Sequence, residues 1–190
     1  MKHALVLFES MFGNTQEIAE AVAEGLSSSL PTVILEVGTA PAALPDDVDL
    51  LLVGGPTHAF GLSRPGTRED ASRQAGGQVV SGRIGLREWL AALARTSGNV
   101  AVAAFDTRIA KPRVPGSAAR AAEKRLRRLG FRVVAASESF YVTGTAGPLV
   151  EGETERARAW GEKLGEACEG RSNDRGVADG KLGATETHER

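Results

Sequence analysis

Cysteine occurs once among the 190 residues of this chain, at Cys168. A single thiol cannot close an internal disulfide, and no Cys/His cluster offers the spacing of a metal site. No apolar run reaches the length of a membrane span, and the opening MKHALVLFES passes from one lysine straight into a strand without a small-residue cleavage site. The chain therefore reads as cytoplasmic, with no membrane span. Charge of either sign is not in excess: 23 Lys and Arg against 24 Asp and Glu leave a net charge of −1. That balance marks neither a nucleic-acid binder nor a strongly acidic protein. Aromatic residues make up only 5% of the chain against 42% apolar residues overall. A chain of this length suits one core covered from two sides and is short for two full domains.

What is present is an alternation of strand and helix patterns. Residues 4–8 form an apolar strand, Asn14 to about Leu26 a helix with Ile18, Ala19, Val22 and Leu26 on one face, and Val33–Val37 a second strand. Val48–Gly54 (VDLLLVG) is a near-continuous apolar run, which suits a parallel strand covered on both faces. A polar segment from Thr57 to Gly82 follows, then a helix from about Leu86 to Ala94 and a fourth strand from Asn99 to Phe105. Gly116-Ser117 opens a further helix that ends at Gly130. A fifth strand covers Phe131–Ala135 and resumes at Ser139–Val142, and a last helix runs from Glu151 to about Glu169. Such alternation specifies a parallel sheet with right-handed crossovers in a three-layer α/β domain, expected over residues 1–169. The charged tail 170–190 has too few large apolar residues to offset its ordering entropy and is expected to be disordered.

Charge is unevenly placed. Between Arg113 and Arg132 the chain carries Arg113, Arg120, Lys124, Arg125, Arg127, Arg128 and Arg132 against Glu123 alone, so one helix presents a basic face. Most such faces are simply solvated; docking of an acidic partner is the other reading.

The segment Val6–Val22 (VLFESMFGNTQEIAEAV) joins a strand to a helix through a tight turn built from Ser10, Gly13, Asn14 and Thr15. Its hydroxyls and amide stand beside the first backbone N–H groups of the helix, which have no internal acceptor, at the positive end of the helix dipole. A phosphate can accept from both sets at about 1.5–3 kcal/mol per charge-assisted bond. An ordinary strand-turn-helix with a good N-cap carries the same residues. No GKS or GKT and no GxGxxG is present, so neither a triphosphate-binding lysine nor a dinucleotide fingerprint is available.

This stretch resembles the amino-terminal signature of the flavodoxin family, with Val6, Leu7, Phe8, Ser10, Gly13, Thr15, Ala19 and Val22 at the matching places. The resemblance implies a flavodoxin-like three-layer sandwich around a five-stranded parallel sheet in the order 2-1-3-4-5, with FMN as cofactor at the switch point of the sheet. It also implies that Ser10, Met11, Phe12, Gly13, Asn14 and Thr15 hold the phosphate. In GGPTHAFG the two glycines allow close backbone approach, and Pro56, Thr57, His58, Ala59, Phe60 and Gly61 resemble the loop that flanks the flavin ring. In the third loop, expected from Asp106 to about Pro115, Asp106 and Thr107 would meet the polar edge of that ring.

The departures concern function. No aromatic follows Asp106 to stack on the outer flavin face, Phe12 replaces a phosphate-binding hydroxyl, and the charge is near neutral where the family's carriers are strongly acidic. Tyr141, the only tyrosine, falls on strand five, and Trp89 and Trp160 fall on helices as core anchors. The expected function is FMN-dependent electron transfer with a redox partner protein and without catalytic side chains. The alternatives are an FMN-dependent NAD(P)H:quinone oxidoreductase, in which the segment 63–82, read first as a mobile polar loop, would serve as a lid, and a flavin-free signalling or scaffold domain. No nucleic-acid partner is expected, and the sequence leaves the oligomeric state open.

Overall fold

In a computed structural model, which describes residues 3–95, 100–112 and 115–179, with side chains to residue 168, the elements follow the chain in near-regular alternation. They are β1 (His3–Phe8), α1 (Asn14–Leu26), β2 (Thr32–Glu36), β3 (Val48–Pro56), α2 (Pro65–Gln74), α3 (Leu86–Ala92), β4 (Ala101–Ile109), α4 (Ala118–Arg128), β5 (Arg132–Val133), β6 (Glu138–Val142) and α5 (Glu153–Asp179). The strands form a sheet in the order β2-β1-β3-β4-β5, and every pairing is parallel; β6 also pairs with β4. The expected order is therefore the observed one, with a sixth strand attached. Among the described residues no helix is long and apolar enough to cross a membrane.

Strand parity explains the two cores. Successive side chains of a strand point to opposite faces, so Leu5, Leu7, Leu51, Val53, Val102 and Ala104 turn to one face, under α3 and α4. Ala4, Val6, Phe8, Leu50, Leu52, Ala101, Ala103 and Phe105 turn to the other, under α1 and α5. Because β1, β3 and β4 are covered twice, they read as continuous apolar runs. On the second face Trp160 meets Phe105 and Phe140 edge to face, with ring centroids 6.1 and 6.2 Å away, and the Trp89 indole N–H donates to the Pro41 carbonyl at 3.0 Å. Both tryptophans are thus core anchors. A Cβ on Gly25 would lie 2.1 Å from the Arg158 carbonyl oxygen, so α1 and α5 pack backbone against backbone.

Four differences from the sequence-based expectation stand out. The polar segment after Thr57 contains the helix α2, started by Pro65 at its first position. Thr67 Oγ1 caps it, accepting from the Arg64 N–H at 2.9 Å. Only Ala71 of that helix is buried, so no apolar stripe announced it. The strand β4 runs on to Ile109, because β6 pairs with Phe105–Ile109 beyond the point where the two-residue β5 stops. The third loop consequently starts at Ala110 instead of Asp106. The helix α5 reaches Asp179, past the expected end near Glu169. Arg113, Asn99 and the tail 180–190 lie outside the described residues.

Candidate functional site

The carboxyl ends of β1, β3 and β4 converge on a crevice. Its lining includes Ser10, Met11, Phe12, Asn14 and Thr15 from the first loop, Pro56, Thr57 and His58 from the second, and Thr107 from β4. Those nine belong to the residues expected from the sequence. Gly13, Ala59, Phe60, Gly61 and Asp106 do not line it, whereas Arg108, Ile109, Val142 and Thr145 do.

The first loop has the geometry of an anion cradle. Gly13 is the N-cap of α1 at φ 92°, a left-handed conformation that costs glycine little. Its N–H donates to Ser10 Oγ at 3.1 Å, which fixes the turn. The first helical bond runs from the Glu17 N–H to the Gly13 carbonyl at 2.9 Å. The N–H groups of Asn14, Thr15 and Gln16 therefore have no intrahelical acceptor and stand at the positive helix end. The Thr15 and Thr107 hydroxyls meet at 2.7 Å and tie α1 to β4 at the crevice floor. Asn14 Nδ2 donates to the Ala146 carbonyl at 3.1 Å, fastening the loop after β6 over the same helix end.

The second loop is a tight turn. His58 and Gly61 exchange N–H···O bonds at 2.9 and 3.0 Å, and the two residues between them have positive φ, 42° at Ala59 and 76° at Phe60. A side-chain-bearing residue in that region is uncommon, and two in succession store strain that the surroundings must hold. Gly116, at φ 88°, provides the hold: a Cβ there would lie 2.0 Å from the Phe60 carbonyl oxygen. Phe60 itself points outward, with 62% of its surface exposed. Beneath it, Thr57 Oγ1 donates to Asp106 Oδ2 and accepts from the Ala118 N–H, both at 2.9 Å. The Thr57 hydrogen is thus committed to the protein and not offered to a ligand.

Asp106 departs furthest from expectation. It has no exposed surface, and besides Thr57 its Oδ2 accepts from the Ser117 hydroxyl at 2.5 Å and the Ala119 N–H at 3.0 Å. The carboxylate anchors the amino end of α4 and does not reach the crevice. Parity is the reason: Asp106 follows Val102 and Ala104 on the α4 face, while Thr107 follows Ala103 and Phe105 on the α1 face, so neighbours in sequence cannot share one ligand edge.

Sequence reasoning missed Glu9, which by the same parity follows Leu5 and Leu7. It is fully buried, accepts from Ser63 Oγ at 2.5 Å and from the Leu86 N–H at 2.8 Å, and so fastens both ends of the α2 segment to the end of β1. Burial pushes its pKa above the ordinary carboxylate value, outweighing the opposing effects of Ser63, the Leu86 N–H and Arg68. The same segment closes on the first loop from behind: Val80 N–H donates to the Met11 carbonyl at 3.1 Å, Ser81 N–H to the Ser10 carbonyl at 2.8 Å, and Ser81 Oγ accepts from the Ser10 N–H at 3.0 Å. It buttresses the cradle and does not cover it, where the sequence reading made residues 63–82 a mobile polar loop or, for the oxidoreductase alternative, a lid.

Among the described residues the crevice lining holds no carboxylate. Burial, and then the positive charge of Arg68, lowers the His58 pKa, which keeps the imidazole neutral at neutral pH. Arg108 supplies the only charged side chain among the described lining residues. Its place directly after Thr107 was the available signal, and the extension of β4 brings it there.

Solved structures share this architecture. Flavodoxin 2 from Bacillus cereus aligns over 89% of this chain and 99% of its own, with TM-score 0.60 and 19% identity. The fold is that of the flavodoxins. The flavodoxin of Streptococcus pneumoniae TIGR4 aligns over 85% of this chain and 96% of its own, at TM-score 0.57 and 19% identity. The flavodiiron protein of Giardia intestinalis matches 88% of this chain with 36% of its own length, at TM-score 0.54 and 18% identity. No family model matches the sequence, and no curated protein does. Among the described residues of this flavodoxin-like domain, no group of three or more His, Cys, Asp or Glu side chains is placed to hold a metal.

Proposed function

We propose that the crevice holds FMN and that the chain passes electrons through it. One observation carries the reading: the amino end of α1, with its left-handed Gly13 cap and the N–H groups of Asn14, Thr15 and Gln16 without intrahelical acceptors, opens into a hydroxyl-lined crevice at the switch point of the sheet. Ser10, Thr15 and those N–H groups suit a phosphomonoester, with Met11, Phe12 and Gly13 completing the cradle. The ring would lie between Pro56–His58 and Thr107–Arg108, with the turn Ala59–Gly61 at its rim. FMN, when bound, supplies one- and two-electron transfer that no side chain of the crevice can perform. The chain's part is to bind, to orient and to set the charge around the ring through a neutral His58 and a cationic Arg108.

Titration with FMN, followed by loss of flavin fluorescence, tests the reading. Thr15→Ala and Gly13→Val are each expected to weaken binding by about tenfold or more, the equivalent of one lost charge-assisted bond of about 1.4 kcal/mol. Wild-type affinity in both variants refutes it, and a wild-type chain that takes up no FMN favours a scaffold role for the fold. A second reading, an NAD(P)H:quinone oxidoreductase, draws on the lining beside Arg108: Ile109 and Val142 stand where a stacking aromatic was sought, and they leave one ring face open to a second substrate. Steady NADPH-dependent reduction of benzoquinone by the pure protein separates it from a carrier.

A further inference from the structure

We infer that an acidic protein docks on this chain at a face formed by Phe60 and the exposed cations of α4. The inference rests on the electron-transfer reading for its purpose and on surface chemistry for its location. Phe60 is the most exposed large apolar side chain among the described residues, at 62%, and it is carried on a strained turn at the mouth of the crevice. The backbone of that turn sits directly on Gly116, two residues before α4, so the ring and the amino end of the helix are adjacent. From there Arg120, Lys124, Arg127 and Arg128 are exposed along the helix, over about 12 Å at 1.5 Å per residue. The one acid on α4, Glu123, is occupied by Arg127 at 2.7 Å and by the Ser137 N–H at 3.0 Å.

The loops flanking that face carry the same sign. Between Pro56 and Pro65 and between Thr107 and Ala122, the described residues include Arg64, Arg108, Lys111 and Arg120 and no carboxylate. An aromatic anchor inside a cationic rim is the composition of a protein interface, in which aromatic and arginine side chains carry binding and complementary charge sets orientation and encounter rate. A small anion would satisfy one or two of these cations and leave the outward Phe60 unexplained. An acidic protein surface covers both, and covers them beside the crevice through which its electrons would pass.

The test uses the full chain and a plant-type [2Fe–2S] ferredoxin as an acidic probe. Binding is measured by calorimetry with and without FMN, at low salt and at about 0.5 M salt. Where FMN is bound, reduced ferredoxin is mixed rapidly with the chain, so that each ferredoxin loses one electron and the flavin gains it. Binding and transfer rate are expected to fall about tenfold or more with salt and with the double variant Arg120→Glu/Lys124→Glu, while FMN affinity stays that of the wild type. Phe60→Ala is expected to weaken docking at every salt concentration. Unchanged ferredoxin binding in the double variant overturns the proposal, as does tighter binding to anionic vesicles or to a single-stranded oligonucleotide than to ferredoxin. A chain that takes up no FMN yet binds ferredoxin through α4 refutes the flavin reading and leaves the docking face standing.

Discussion

Replacing Glu9 by glutamine should remove the fall in stability with rising pH that the buried carboxyl imposes. The Glu9 carboxyl is fully buried, and burial raises its pKa from 4.5 in spite of two hydrogen bonds and the nearby Arg68. A carboxyl whose folded pKa lies above its unfolded value binds its proton more tightly in the native state. Its contribution to stability is complete below the unfolded pKa and declines as pH rises through the folded one. For one group the slope reaches at most about 1.4 kcal/mol per pH unit inside that window and vanishes on either side of it. His58 titrates with the opposite sign: its lowered pKa gives stability that is present above 6.5 and lost as pH falls through the folded value. The two slopes oppose each other in the wild type, so the informative quantity is the difference between Glu9→Gln and wild type. Glutamine keeps an acceptor for the Leu86 N–H and cannot ionise. Urea unfolding of both proteins from pH 4.5 to 7.5 should show the variant gaining on the wild type as pH rises. A constant difference, or a wild type that gains on the variant with rising pH, would refute the argument that the buried carboxyl dominates.

Three further outcomes follow from the same geometry. Asp106→Ala leaves the Ser117 hydroxyl and the Ala119 N–H at the start of α4 without their acceptor and should lower stability by about 3–5 kcal/mol in urea unfolding, whereas Asp106→Asn, which keeps one acceptor, should lose clearly less. Gly116→Ala places a Cβ 2.0 Å from the Phe60 carbonyl oxygen at a φ of 88°, so it should cost about 2–4 kcal/mol and weaken FMN binding by displacing the turn 58–61; unchanged thermal unfolding would contradict the close approach. Arg108→Gln removes the cation of the described crevice lining and should lower the reduction potential of any FMN that binds there, because reduction adds negative charge that a nearby guanidinium favours. Potentiometric titration of the two proteins checks the sign.

The parts of the fold legible in the sequence were those set by hydrophobic period. Val48–Gly54 announced a strand buried on both faces, and Ile18, Ala19, Val22 and Leu26 announced α1 to the residue, because burial writes itself into spacing. The cap turn at Ser10–Thr15 was legible for a second reason: glycine and hydroxyl residues at fixed offsets leave few other conformations. The helix α2 was hidden because its contacts are polar, through Arg64, Thr67 and Arg68, and polar contacts have no period. The extension of β4 was hidden because it depends on a partner strand about 30 residues later, and pairing across that distance leaves no local mark. Asp106 was assigned to the ligand together with Thr107, although the alternation of the strand itself was enough to separate them.

That separation carries a wider consequence for the site. Glu9 ends β1 and Asp106 lies in the last turn-ward stretch of β4, and parity sends both to the same face of the sheet, where each accepts from the first N–H groups of a helix, Leu86 of α3 and Ala119 of α4. Each also takes a hydroxyl from the loop that follows β3, Ser63 for Glu9 and Thr57 for Asp106, so the two carboxylates clamp that loop at both ends. The strained turn at Ala59 and Phe60 lies between the two clamps, and Gly116 supports it from below. These two carboxylates are thereby buried in the scaffold, while the described lining of the crevice holds His58, neutral, and Arg108, cationic. An anionic ligand there meets hydroxyls and N–H groups, with no carboxylate among the described lining residues. The inward turn of two acids at the ends of β1 and β4, the strands on either side of β3, thus holds the loop after β3 and keeps both carboxylates out of the crevice lining.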